Sequence, residues 1–546
     1  MPERPSAYSA HLDAFARDLL PPREDWPHMF FALPELYYSP RANAGVELLD
    51  KAVARGWGGR ACLRFGKDVW TYADLLAKAN RLARVLTEDY GLKPGNRVLL
   101  RAANNPMMVA SWFAVIKAGG IAVATMPLLR AKELTYILEK AKIGLALCDA
   151  RLAEEMERAK TAAPVCRDIA YFNSDAPGAL ESRMAGKPAT FDNCDTSLTD
   201  VALIAFTSGT TGNAKGTMHF HRDLLAICDA FPRYILQPNA DDIFTGSPPL
   251  AFTFGLGGLV TFPMRFGAST ALAEKATPDL LPQIVQDHKA TILFTAPTAY
   301  RALADNAPRG AFASLRKGVS AGEHLPKAIF EAWHRFSGLK LYDGLGATEM
   351  LHIFVSARQE DIVPGATGKA IPGYAACILD DEGNVLPPGE IGRLAVRGPT
   401  GCRYLDDAAR QRAYVQNGWN LTGDAYRMDE NGYFWYQART DDMIVTAGYN
   451  VSGPEVEGVL LDHPKVKECA VVGAPDTERG TIVKAYVVLR EAKDASPETI
   501  KTLQDHVKAT IAPYKYPRSV EFVEALPRTE TGKVQRFKLR QQAGKS

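Results

Sequence analysis

Short β-branched runs and longer amphipathic stretches alternate along the chain from Arg97: Arg97–Arg101, Pro106–Ala118, Ile121–Thr125, Ala131–Lys142 and Ile143–Cys148. Strand followed by helix, repeated, predicts a parallel α/β sheet. A second α/β stretch follows Leu203, with strands expected at Thr291–Thr295 and Leu339–Tyr342. Between about Ala375 and Tyr436 the rhythm changes to short strands punctuated by Asp381-Glu-Gly-Asn384, Pro387-Pro-Gly389 and Asn431-Gly432, the mark of an antiparallel subdomain. The remainder reads as a small α+β unit with strands at Glu468–Gly473, Ile482–Leu489 and Ser519–Val523 and a helix from Pro497 to about Ile511. The expected fold class is therefore α/β: a large N-terminal domain, 1–440, of two α/β subdomains plus an antiparallel β subdomain, and a small C-terminal α+β domain, 441–546. No internal repeat or low-complexity tract points to a solenoid.

Composition narrows the function classes. The 546 residues are 47% hydrophobic and 23% charged, enough for several cores. With 64 Lys+Arg against 62 Asp+Glu, the formal charge is only +2, so no basic excess recruits nucleic acid or an anionic membrane. The eight cysteines are scattered without a CxxC pair or zinc spacing, which fits a reducing, cytoplasmic compartment. The start, Met1-Pro-Glu-Arg-Pro, lacks an apolar signal core, and the most hydrophobic stretch, Met107–Leu129, is broken by Lys117, Gly119, Gly120 and Pro127. No membrane span is expected.

The most informative segment is Thr207-Ser-Gly-Thr-Thr-Gly-Asn-Ala-Lys-Gly216, directly after the apolar run Val201–Phe206. Its glycines let backbone N–H groups turn toward an anion, the hydroxyls of Thr207, Ser208, Thr210 and Thr211 add donors around Gly209, and Lys215 adds a point charge. That is a cradle for a triphosphate. It is not a Walker A loop, because Ala214 and Gly216 flank the lysine where that pattern needs Gly and Ser or Thr. The string resembles the signature phosphate loop of the adenylate-forming superfamily of acyl-CoA synthetases, adenylation domains and luciferases, with Ala214 where the family usually has Pro.

The resemblance extends over roughly Val46 to Phe537, and each later family motif follows in order. Ser320-Ala-Gly-Glu323 and Tyr342-Asp-Gly344 resemble the segments that sandwich and hydrogen-bond adenine, which implies Ala321, Gly322, Glu323, Asp343 and Gly344 at the base. Gly346-Ala-Thr-Glu349 resembles the Thr-Glu motif, implying that Thr348 touches phosphate and Glu349 holds Mg²⁺. Leu421-Thr-Gly-Asp424 looks like the ribose clamp, with Arg439 adding a donor to the nucleotide. Asp441 matches the hinge about which the family's small, mobile domain rotates between half-reactions. Ala447-Gly-Tyr-Asn450 and the residues after it, with Gly448 and Tyr449, resemble the loop that enters the site for thioester formation. Pro527-Arg-Thr-Glu-Thr-Gly-Lys533 resembles the catalytic-lysine motif, so Lys533 is expected to neutralise charge developing between the acid and the α-phosphate.

What the resemblance implies is a ligase that uses ATP, Mg²⁺ and coenzyme A in two steps, by way of an acyl-adenylate. The acid is read from Ser247–Gly258 and Glu349-Met-Leu-His-Ile353, which are similar to the aryl branch; Phe252-Thr-Phe254 and Trp26–Pro34 are closer to the 2-aminobenzoate than to the benzoate ligases. Phe254 and Gly346 would then flank an aromatic ring, with Thr253, His352 and Ile353 completing the pocket. The expected substrate is 2-aminobenzoate, with benzoate, another substituted benzoate such as 2-hydroxybenzoate, or adenylation for a carrier protein as alternatives. His219 and His221 are read as structural, His221 lying near the pocket, because a carboxylate needs no base at neutral pH. The partners are the small molecules alone; a homodimer is an open option.

Overall fold

A computed structural model describes residues 8–207, 214–439, 442–446, 449–476, 480–529 and 532–544. Its described strands form five sheets. One runs Asp168–Phe172, Leu145–Asp149, Arg97–Arg101, Ile121–Thr125, Val201–Phe206, Gly216–Phe220. All neighbours in it are parallel except the last pair, a hairpin in which Phe206 faces Gly216. The alternation read from Arg97 is thus realised almost residue for residue, with helices at Pro106–Lys117 and Ala131–Lys140. Pro106 sits at the first helical position and the Asn105 side chain accepts from Met108 N–H, which starts the first of these helices cleanly. That helix is buried on every side, and its one charge, Lys117, is matched by Asp50.

The second sheet runs Lys369–Ala370, Ile353–Ser356, Leu341–Gly346, Lys317–Ala321, Ile292–Thr295, Ile243–Gly246, Ser269–Leu272, Ala61–Phe65, Asp68–Thr71. Strands from Leu341–Gly346 to Ala61–Phe65 are parallel, and the outer ones on both sides are antiparallel. The Ala61–Thr71 hairpin precedes the first sheet in sequence yet completes the second, a placement that local pattern cannot encode. One hydrophobic cluster spans both sheets, uniting Leu100 and Ala122 with Phe244, Phe294 and Val319. The antiparallel subdomain forms where the turn signals place it, from Ala375–Leu379, Ile391–Arg397 and Trp419–Met428, with Val415–Gln416 and Phe434–Arg439 both paired to Trp419–Met428.

In the C-terminal part, Val466–Asp476 and Gly480–Leu489 pair antiparallel and Ser519–Phe522 adds in parallel. Alternate residues serve opposite faces: Cys469, Val471, Val483, Ala485 and Val487 pack under the helices Gly453–Leu461 and Pro497–Thr510, while Ala470, Val472, Tyr486 and Val488 pack with Leu539 of Arg536–Ala543. A period of two with both faces covered explains why these runs are apolar throughout. No helix among the described residues is long and apolar enough to cross a membrane.

Candidate active site

Two motifs that are twenty residues apart in sequence become neighbours through strand pairing. Lys317–Ala321 and Leu341–Gly346 are parallel, with Ser320 opposite Asp343 and Ala321 opposite Gly344, so both motifs emerge at the carboxyl ends of adjacent strands. That edge is where open α/β sheets bind ligands. Gly322 holds φ at 90°, a conformation that a side chain resists. Asp343 is enclosed with Gly344 N–H donating to its Oδ1 at 3.1 Å, and burial still pushes its carboxyl well above the usual range. Glu323 is also raised by burial, with Arg528 and Lys533 pulling the other way.

The Thr348–Met350 turn follows at once and is held from three sides. His219 Nε2 lies 2.8 Å from the Thr348 carbonyl, Thr400 Oγ1 donates to the Met350 carbonyl at 2.8 Å, and the Tyr404 hydroxyl donates to Glu349 Oε1 at 2.6 Å. Leu351 closes the turn at φ 69°, rare for a residue with a side chain and a sign of backbone held against its preference. With Oε1 engaged by Tyr404, Glu349 keeps Oε2 as a hard donor. The described residues contain no group of three or more acidic, histidine or cysteine ligands. A single carboxylate completed by phosphate oxygens and water suits Mg²⁺, which dehydrates reluctantly.

The neck of the phosphate loop is closed by Thr207 N–H on the Lys215 carbonyl at 2.9 Å and Lys215 N–H on Thr207 Oγ1 at 3.4 Å. The Lys215 ammonium stands 5.7 Å from the Tyr404 ring centre, which brings the loop's cation to the Glu349 turn. Ser208, Gly209, Thr210 and Thr211 lie outside the described residues, as do Asp441 and Gly448; Tyr449 is described only as backbone of the strand Tyr449–Val451. Asp424 and Arg439 face each other across a strand pair, and Arg439 Nη1 donates to Asp424 Oδ1 at 2.9 Å. Burial raises Asp424 despite the pull of Arg439 and Lys533.

Lys533 arrives from the C-terminal part on a tight loop. Thr529 N–H donates to the Lys533 carbonyl at 2.7 Å, and Arg528 clamps the Gly532 carbonyl at 2.6 Å and Glu468 Oε2 at 2.7 Å. The Lys533 side chain is exposed to water and lies within the fields of Glu323, Asp424 and Arg439. Desolvation lowers the ammonium, the charges of Glu323 and Asp424 raise it in part, and Arg439 opposes them. Acids raised and a lysine lowered around one cleft are the electrostatic mark of a working site.

Comparison with known proteins shows the family. Residues 50–403 match the AMP-binding enzyme family and residues 455–533 match the AMP-binding enzyme C-terminal domain. This chain belongs to the AMP-binding enzyme family. A benzoate–CoA ligase of Thauera aromatica is 33% identical over 512 residues, covering 93% of this chain and 97% of that protein. The crystal structure of the anthranilate CoA ligase AuaEII in complex with anthranoyl-AMP superposes with a TM-score of 0.88 at 32% identity, covering 94% of this chain and 99% of that one. A benzoate CoA ligase from Burkholderia xenovorans LB400 gives 0.84 at 31% identity, covering 91% and 100%. The adenylate-forming fold and the aryl-CoA ligase branch expected from the motifs are borne out, and the chain is an acid–thiol ligase.

In this AMP-binding enzyme, three glycines let the segment after Phe254, expected to border the acid, pack tightly against its neighbours. A Cβ on Gly255 would meet the Pro249 carbonyl at 2.1 Å, on Gly257 the His352 ring at 2.3 Å, and on Gly258 the Phe294 ring at 2.5 Å. Phe254 is half-buried at the start of the helix Thr253–Leu256, with Thr253 also half-buried. His352 is 3% exposed, its ring centre 5.8 Å from Phe254, 4.4 Å from Phe262 and 5.9 Å from Phe231, and neither ring nitrogen has a well-formed hydrogen bond, the Phe254 backbone making only a weak polar contact with the ring. Burial lowers it to about 3, so the ring is neutral. Ile353 lies under Gly344, where a Cβ would meet it at 2.3 Å, and Gly346 abuts the His352 backbone.

Sequence reading missed Tyr404, the cage residues Phe231, Phe262 and Phe294, and the role of His219. Tyr404 and the phenylalanines carry no local signal, whereas His219 stands three residues beyond the Thr207–Gly216 string and only its contact with the Thr348 carbonyl was not foreseen. The histidine that touches the site is His219; His221 instead accepts from Ala44 N–H at 3.0 Å, under the N-terminal segment and beside Asp200.

Proposed function

We propose that the protein is an ATP-dependent 2-aminobenzoate:CoA ligase. In the first step the acid's carboxylate oxygen attacks the α-phosphorus of ATP and the bond to pyrophosphate breaks. Lys533 moves its ammonium against the charge that develops there, Thr348 and Lys215 steady the phosphates, and Asp424 accepts the ribose hydroxyls. Mg²⁺ on Glu349 would supply further neutralisation of the phosphate oxygens. In the second step the CoA sulfur attacks the acyl carbon, the bond to AMP breaks, and AMP departs. We place the hinge for the exchange of half-reactions at Asp441, between the proposed domains 1–440 and 441–546, with the Gly448–Tyr449 loop serving the second. ATP and CoA as substrates support a cytoplasmic location.

The observation that carries the choice of acid is His352. A neutral imidazole offers one donor and one acceptor, and here both are buried among phenylalanine rings without a well-formed hydrogen bond, the Phe254 backbone making only a weak polar contact. A ring bearing an amino or hydroxyl group beside the carboxylate can satisfy it, whereas benzoate leaves it orphaned at a cost of about 1–3 kcal/mol. Thioester formation over benzoate, 2-aminobenzoate and 2-hydroxybenzoate, with the wild type and His352→Leu, tests this. The wild type should prefer 2-aminobenzoate over benzoate by ~10-fold or more in kcat/KM, and the variant should erase that preference. Preference for benzoate in both proteins would replace 2-aminobenzoate with the unsubstituted acid. Thioester formed only on a phosphopantetheinylated carrier, never on CoA, would replace the acceptor.

A further inference from the structure

Beneath the Thr348–Glu349 turn lies a sealed group of charges that the reaction does not use directly. Asp223, fully buried in the helix His221–Asp229, accepts from Arg403 Nη1 at 2.8 Å, from Arg222 Nη2 at 3.3 Å and from Phe220 N–H at 3.1 Å. Burial alone would raise this carboxyl; the guanidinium of Arg403 overrides it and holds the group ionised. Arg403 is itself wholly enclosed, its guanidinium 4.1 Å from the Phe220 ring centre and 5.0 Å from that of Trp26, which the N-terminal segment lays over it. Two paths lead from Asp223 to the turn. Through the chain, Arg403 is followed by Tyr404, whose hydroxyl holds Glu349 Oε1. Through space, Asp223 Oδ2 lies 3.8 Å from His219 Nδ1, and the far nitrogen of that ring meets the Thr348 carbonyl at 2.8 Å. Cross-links of Met218 N–H to the Arg403 carbonyl and Leu405 N–H to the Gly216 carbonyl, both 2.8 Å, lock the two paths together.

We propose that His219 is a positioning residue of the adenylation step, fixing the Thr348–Glu349 turn from below while Asp223, through Arg403 and Tyr404, fixes it from the side. A carbonyl with Leu351 at positive φ beside it needs such a tether, because the turn would otherwise relax and carry the Glu349 carboxylate away from the phosphates. Outer partners that orient a metal-binding carboxylate are worth 10–100-fold in affinity or rate. The donor to the Thr348 carbonyl is Nε2, the atom that a glutamine amide at position 219 reaches and an asparagine amide does not.

The inference rests on the proposed role of Glu349 at the nucleotide, and the experiment separates the two. Carboxylate-dependent pyrophosphate–ATP exchange and thioester formation from supplied aryl-adenylate are measured for wild type, His219→Gln, His219→Asn and Tyr404→Phe, together with Mn²⁺·ATP binding followed by the manganese spin-resonance signal. Expected are a ~10–100-fold loss of exchange and weaker Mn²⁺·ATP binding in His219→Asn and Tyr404→Phe. Recovery to within about 5-fold of wild type is expected in His219→Gln, and thioester formation within about 3-fold of wild type in all variants. Equal loss in His219→Gln and His219→Asn, equal loss in both half-reactions, or unchanged Mn²⁺·ATP binding in His219→Asn overturns it. Should His219→Asn fail to fold, Tyr404→Phe, which removes one hydroxyl, decides by the same criteria. Absence of exchange in the wild type would strike the ligase reading instead.

Discussion

The proposed nucleotide end and the proposed acyl end of the site are built by opposite means. At the nucleotide end, charged groups converge from four separate segments, and each is held by at least one hydrogen bond or opposing charge: Glu349 by Tyr404, Asp424 by Arg439, Asp343 by Gly344 N–H, Lys533 by the fields of Glu323 and Asp424. At the proposed acyl end the buried polar side chain is His352, held without a well-formed hydrogen bond in a phenylalanine cage. Every adenylate-forming reaction handles the same triphosphate, so its groups can be satisfied in advance. The acid is what varies, and in the proposed ligase specificity would rest on the hydrogen bonding of His352 that the right ring completes.

The largest test of this contrast is Lys533→Ala. It should lower adenylation by about 10²–10³-fold while thioester formation from supplied aryl-adenylate persists, with relative rates across benzoates unchanged. A change in acid preference would show that the two ends are not separable.

The second test uses acid. His352 and His221 are lowered to about 3 and His324 to about 4, against 6.5 unfolded. Between pH 6.5 and 5 the unfolded chain therefore takes up protons that the folded chain refuses, and stability is complete above pH 6.5 and falls as pH falls, by about 2 kcal/mol per histidine at pH 5. Asp343 has the opposite sign: raised on folding, it takes up its proton in the folded state first and gains stability as pH falls. Denaturant midpoints at pH 7 and pH 5 should show a smaller acid loss in His352→Leu and a larger one in Asp343→Asn. The same loss in both variants would contradict the assignment of the two ends.

The smallest effect is expected from Gly257→Ala. Its Cβ would displace the His352 ring, so discrimination among ring substituents should drop by about 10-fold with the KM for ATP unmoved. An altered KM for ATP would mean that the wall of the acyl pocket also shapes the nucleotide site.

Legibility in the sequence followed the same divide. The nucleotide motifs were readable because each is a contiguous string whose chemistry sits in neighbouring residues, as in Gly346–Glu349 or Thr207–Lys215. Elements from Arg97 to Asp149 and the β-rich stretch after Ala375 were readable because hydrophobic period and turn residues are local. Strand ends shifted by up to four residues, as where Leu339–Tyr342 became Leu341–Gly346 and ran into the expected adenine segment. The cage was less legible: Phe231, Phe262 and Phe294 come from different elements and look like ordinary core residues one at a time.

By itself, then, the order of residues determined the family and the alternation that builds the sheets, since both depend on spacing within a few turns of chain. Only the tertiary structure decided that the Ala61–Thr71 hairpin completes the second sheet, that Tyr404 and His219 grip the Glu349 turn, and that His352 is buried among aromatic rings without a well-formed hydrogen bond. Those contacts join residues more than fifty positions apart, or depend on what is missing around a side chain, and neither leaves a periodic trace in the sequence.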